Sequence, residues 1–255
     1  MQAVYSLARH TLIDALRERV YRVLGLFLVL LLGITRLLDP LALGEGRRVT
    51  LDLGLTLISL FGFLLVLMLG TRVVQKEIER KTILMLLARP ITRAEFLLGK
   101  FVGIVAVVGS GLAGMLLILV AVLWISGYGV HLGLAVAGLY AFLELVIVAA
   151  LGMLLTVFTS PLLSSFFLLG LYVGGHLSPS LLEMARLLPN ALAARAVEGL
   201  FLLVPRLDLY SYTLEAVHGW VPSAGTVAWA VTYALLYAVA ALLLALAVFR
   251  RRQFS

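Results

Sequence analysis

The sequence predicts an all-α membrane protein with six transmembrane helices, an amphipathic interfacial helix ahead of them, and a charged helical loop between spans two and three. Three observations predict it. The 255 residues are 63% hydrophobic and 13% charged, with a mean hydropathy of +1.12, whereas a soluble domain is about half apolar and about a quarter charged. Apolar runs recur at roughly the 20 residues that a helix needs to cross a bilayer. Lys and Arg fall unevenly between the two sets of connections. No polar segment is long enough for a second domain, so residues 1–255 read as one membrane domain. Cysteine is absent, which excludes a disulfide framework and a thiolate metal site. The net charge of +7 reads as the mark of a cytoplasmic face rather than of nucleic-acid binding. The lipid bilayer is the expected environment, and no nucleic acid is expected as a partner.

Residues 2–22 carry an apolar band of Val4, Leu7, Ala8, Ile13, Ala15, Leu16 and Val20, with Arg9, Asp14, Arg17 and Glu18 mainly opposite. That pattern fits a helix lying in the membrane interface. The long charged part and the lack of a small-residue cleavage site argue against a signal peptide. Six spans follow, at about 20–38, 53–74, 97–126, 132–158, 162–178 and 225–249. With both termini inside, fourteen of the twenty basic residues are cytoplasmic and six are outside, the distribution that the positive-inside rule favours. The longest connection, about 179–224, is divided by Pro179, Pro189, Pro205 and Pro222, with 191–203 reading as a short outer helix. Trp220 and Trp229 bracket the start of the last span, where interfacial tryptophans concentrate.

The most informative stretch is 70–101, which holds seven of the basic residues, including all three lysines. Glu77 and Lys81 stand four apart in the favourable order for a helical ion pair. Ile78, Thr82, Met85 and Leu86 share one helical face. Arg89-Pro90 stops that helix, and Thr92-x-x-Glu95 forms a capping box that starts the next. A loop needed only for charge asymmetry explains the basic residues but not Glu79, the apolar face or the tight break. The segment therefore reads as a protein-docking surface, with Glu77, Ile78, Glu79, Arg80, Lys81, Thr82, Met85 and Arg89 as its contact residues.

Glu144 is the one charge well inside a span. A charged group there costs about 2.5–3.5 kcal/mol on insertion scales, so it should face protein or water. It reads as a group lining a translocation path or gate, or as a structural carboxyl bonded to a neighbouring helix. Gly170-Leu-Tyr-Val-Gly174 and the stripe of Ala106, Ser110 and Gly114 could let helices approach closely. The four histidines are scattered without metal-ligand spacing. His176, at the outer end of span five, is the one to examine first. Gly99-Lys100 lacks the other residues of a phosphate-binding loop, since Ala94 and Phe101 occupy the decisive positions. No metal or other cofactor is expected in this chain, and any ATP and Mg would be bound by another polypeptide.

Residues 77–101 resemble the signature of type-2 ABC transporter permeases. The closest subgroup is the multi-copper enzyme maturation permeases, which include the permease for nitrous oxide reductase maturation. The resemblance continues at 142–145, 160–163, 175–176, 215–219 and the terminal Phe-Arg-Arg-Arg. It implies six spans, a homodimer of permeases, and two copies of a separate ABC ATPase subunit. It also implies that 77–88 is the coupling helix seated in that ATPase. On this reading the chain is a permease subunit in a prokaryotic inner membrane, most simply an exporter, and is not itself an enzyme. Two rivals are a scaffold that couples ATPase work to a periplasmic metalloenzyme-maturation factor, and a proton-coupled secondary transporter using Glu144.

Overall fold

Among the described residues, six apolar helices long enough to cross a membrane form the bundle in the computed structural model. The structure describes residues 20–38, 45–70, 92–186, 197, 199 and 204–251. Spans one to five are α1 (Tyr21–Leu38), α2 (Gly46–Gly70), α3 (Arg93–Ile125), α4 (Leu132–Phe158) and α5 (Pro161–Arg186). A 3-10 turn (Leu207–Tyr210) and the short α6 (Thr213–His218) precede the sixth span, α7 (Ala224–Arg251). Among the described residues there is no strand. Residues 2–19 of the interfacial helix expected over 2–22, the stretch 71–91 that includes the expected docking helix, and nearly all of 191–203 lie outside the described residues.

The bundle is built around α4. It packs against α2, α3, α5 and α7, and 78% of its most apolar window is buried, against 11% for α1 and 22% for α5. The outer helices therefore present their leucines and phenylalanines to lipid, as expected of a chain whose solvent is hydrocarbon. Close approach comes from leucines seated over glycines. Leu145 of α4 covers Gly62 of α2, Leu116 of α3 covers Gly138 of α4, and Leu119 of α3 covers Gly54 of α2. Small residues at such contacts are the usual means by which membrane helices gain dispersion energy.

The second and fifth helices differ most from their sequence-based bounds. The second starts at Gly46, seven residues before Leu53, so Arg47, Arg48 and Asp52 lie within it. Hydropathy falls at these charges, but the backbone hydrogen bonds continue, and Arg48 pairs with Glu45 at 3.1 Å. The fifth runs eight residues past 178, through Pro179, where the sequence suggested a break. Proline lacks the N–H that would bond the carbonyl four residues back. That carbonyl belongs to Gly175, and the Ser178 hydroxyl donates to it instead at 3.1 Å. At its other end α5 opens on Pro161, a position where the missing N–H would be unpaired in any case.

Candidate functional site

At the end of the bundle that adjoins the docking segment, the capping box forms as the sequence predicts. Glu95 N–H donates to Thr92 Oγ1 at 3.2 Å, and Thr92 N–H donates to Glu95 Oε2 at 2.9 Å. The Thr92 hydroxyl also donates to Glu95 Oε2, at 2.9 Å. One turn on, Phe96 stacks with Phe249 of α7 at 6.3 Å between centroids. Lys100, almost buried, lies 5.9 Å from the Phe96 centroid. The start of α3 is thus fixed both to its own first turn and to the end of α7. Glu77, Ile78, Glu79, Arg80, Lys81, Thr82, Met85 and Arg89 lie outside the described residues.

Glu144 sits near the middle of α4 and is 2% exposed. Its neighbours come from α5. Tyr172 is its side-chain hydrogen-bond partner, and His176 Nε2 lies 3.4 Å from Glu144 Oε1. The 3.4 Å contact is close enough for an ion pair, but Oε1 makes no aligned hydrogen bond. Tyr172 is itself held by Phe63 of α2, stacked at 4.1 Å. The imidazole packs against Tyr172, 4.7 Å between centroids, and its Nδ1 is 3.1 Å from the Tyr172 carbonyl. The carboxyl is therefore buried against protein, the outcome expected of an ionisable group inside a membrane. Sequence reasoning singled out Glu144 and His176 separately but did not pair them, and it missed Tyr172. The readable signal was Tyr172 and His176 four apart, on one face of an apolar helix.

Above this site, at the end of the bundle away from the docking segment, residues 204–223 fold back as a strap. Leu207, Tyr210, Ala216 and Val217 are buried. The Tyr210 hydroxyl donates to the Ala230 carbonyl at 2.7 Å, and Tyr212 donates to the Trp220 carbonyl at 2.7 Å. The Arg206 N–H donates to the Tyr233 hydroxyl at 3.1 Å. Ser178 Oγ of α5 also lies 3.3 Å from Asp208 Oδ1, where its one hydrogen is shared with the Gly175 carbonyl, and Asp208 pairs with Arg206 at 2.9 Å. That hydrogen bond holds the Arg206 guanidinium above its ordinary value. Burial pushes the Tyr210 phenol up, with smaller contributions from Tyr233, Tyr140 and Glu144, so the strap lies within electrostatic reach of the buried carboxyl. Tyr140, one turn from Glu144 on α4, is 6.0 Å from Tyr210 and 5.0 Å from Tyr212 between ring centroids.

The small-residue motifs behave differently from one another. Gly170 and Gly174 meet nothing within 4 Å and lie open on α5, whereas Gly114 is covered by Leu24 of α1. Trp220 and Trp229 are both exposed.

Six spans around a buried carboxyl, with a folded segment at one end and a capped helix start at the other, define a multi-pass α-helical membrane protein. The chain matches the family described as ABC-2 family transporter protein over residues 5–254 and belongs to that family. It is accordingly a transmembrane subunit of the ABC transporter class, whose ABC-2 permeases work with an ABC ATPase. A comparison with curated proteins finds no match.

Proposed function

We propose that this chain is the permease subunit of an ATP-driven exporter in a prokaryotic inner membrane, with both termini cytoplasmic. A separate ATPase binds and hydrolyses ATP with Mg, and the helix over 77–88 docks on it. The family match along nearly the whole chain carries the reading. The Thr92–Glu95 box supports it further, because it fixes the start of α3 directly after that stretch of the sequence. Two permease copies with two ATPase copies complete the assembly. The open face of α5 at Gly170 and Gly174, beside the exposed Phe166 and Phe167, suits a permease–permease contact. Glu144 belongs to the translocation path or its gate.

Within the ABC-2 permeases, the chain resembles the multi-copper enzyme maturation subgroup. The folded strap favours a second reading within that subgroup, in which 204–223 is an output surface for a periplasmic maturation factor. The experiment that tests the main reading reverses Arg80 and Lys81 to Glu together. The double variant should insert normally, lose most of its co-purifying ATPase and lose coupled ATP hydrolysis. Full association and coupling in that variant would remove 77–88 as the dock.

A further inference from the structure

The Glu144–His176 contact has a chemical consequence that concerns neither ATP nor docking. A carbonyl oxygen only accepts, so His176 Nδ1, 3.1 Å from the Tyr172 carbonyl, must carry the hydrogen of that bond. In a neutral ring this leaves a bare lone pair on Nε2. Nε2 lies 3.4 Å from Glu144 Oε1, a buried oxygen with no aligned hydrogen bond. With an ionised carboxyl, two lone pairs would then face each other where the low dielectric makes the conflict costly. One proton resolves it, either as a carboxylic acid donating to Nε2 or as an imidazolium facing the carboxylate. We propose that Glu144 and His176 together hold a single proton, and that this shared proton latches α5 to α4 beneath the strap.

The surrounding groups leave the pair in charge of that proton. Tyr172 of α5 and Tyr210 of the strap are the nearest titratable neighbours. Asp208 is engaged by Ser178 and Arg206, and Glu215 of α6 lies near Tyr140 and Tyr212. Tyr233 and Tyr237 of α7 lie beyond Tyr210. The acidic and basic residues of α2 and α3 are near the helix ends, at Arg47, Arg48, Asp52, Arg93, Glu95 and Lys100. Among the described residues, His176 is the cation-forming side chain within ion-pair distance of Glu144. Because the native pair keeps a proton that the histidine of an unfolded chain gives up at about pH 6.5, the latch's contribution is fully present below that pH and is lost as pH rises above it. His176 is 28% exposed while Glu144 is 2%, so the imidazole is the more accessible member of the pair.

The test uses the purified full-length chain in lipid nanodiscs, without ATPase, melted at intervals from about pH 6 to about pH 9, a range that includes histidine titration. Glu144→Gln presents an amide N–H to Nε2 that pH cannot remove. The wild type should lose about 2–4 °C more than Glu144→Gln across this range, and a chelator should change neither profile. Equal pH dependence in the two proteins would overturn the proposal. So would a chelator that abolishes the wild-type stabilisation, which would put a metal cation where the proton is assigned. Should Glu144→Gln fail to fold, spectroscopy of the wild type against His176→Gln decides the matter. A protonated-carboxyl infrared band, or a doubly protonated imidazole in the nitrogen NMR spectrum, should vanish from the wild type as pH rises. Finding neither protonated form would also sink the latch. No arm involves transport or ATPase binding, so failure here is distinguishable from failure of the ATP-driven reading.

Discussion

Alanine at Gly175 tests whether the strap is seated on α5 as tightly as the structure indicates. The new Cβ would lie 2.7 Å from Leu207 Cγ and 2.8 Å from the Pro205 carbonyl oxygen. A leucine tip can rotate away, but a backbone oxygen cannot, so the strap itself must move. The neighbouring Gly174 supplies the control, because a Cβ there meets nothing within 4 Å. Both substitutions gain about the same helix propensity, near 1 kcal/mol, and the difference between them isolates the steric conflict. Overpacking of this kind costs about 1–3 kcal/mol. At about 2–4 °C per kcal/mol for a chain of this length, Gly175→Ala should melt about 2–12 °C below Gly174→Ala. A second readout uses Ser178, which is buried beneath the strap and bonded to Asp208. In this cysteine-free chain, Ser178→Cys should react with a maleimide faster when combined with Gly175→Ala than when combined with Gly174→Ala. Equal melting and equal labelling would refute the strap contact.

Glu144→Ala should assemble worse than Glu144→Gln, because it strands Tyr172 and His176 at a cost of about 1–3 kcal/mol. Glu144→Gln should still bind ATPase and transport, and wild-type assembly with abolished transport in that variant would instead favour a proton-driven carrier. Thr92→Ala removes the N-cap of α3 and should lower stability by about 1 kcal/mol, with a matching loss of ATPase coupling. An unchanged melting temperature would show that the Phe96–Phe249 stack suffices to hold the helix start. A cysteine at Ser223 should react with an impermeant reagent from outside intact cells, and one at Ser255 only after permeabilisation. The reverse pattern would invert the orientation drawn from Lys and Arg.

Features set by nearest neighbours in the chain were legible from sequence. The Thr92–Glu95 box uses two residues three apart, and both reciprocal bonds form. The bounds of α4 coincide with its apolar run, because it is bordered by polar or turn residues at each end. Where a tertiary or side-chain term intervened, the reading fell short. Pro179 reads as a helix stop only until Ser178 is seen to satisfy the carbonyl that proline frees. The start of α2 was hidden because a hydropathy window responds to charge, whereas a helix persists while its backbone bonds are made. Glu144 was visible as an anomaly, but its partners are 28 and 32 positions away on another helix. Nothing in local spacing joins them. The strap was read as a proline-divided connection, since the burial of Leu207 and Tyr210 depends on surfaces supplied by α4, α5 and α7.

The same geometry indicates how work at one end of the bundle could reach the other. If residues 77–88 dock on an ATPase as proposed, a motion there would act first on the capped start of α3, which is anchored to α7 through Phe96 and Phe249. Both helices pack directly on α4, and Leu116 seated over Gly138 and Phe142 against Gly109 leave little room for α3 to slide past it. Dense packing of this kind transmits displacement rather than absorbing it. The displaced α4 carries Glu144, whose partners stand on α5, one of its less buried neighbours. The polar contact that such a displacement would reach is the α4–α5 contact at Glu144 and His176, below the strap. A latch there would keep the strap end closed while the docking end is at rest, and would be the first contact strained when α3 moves.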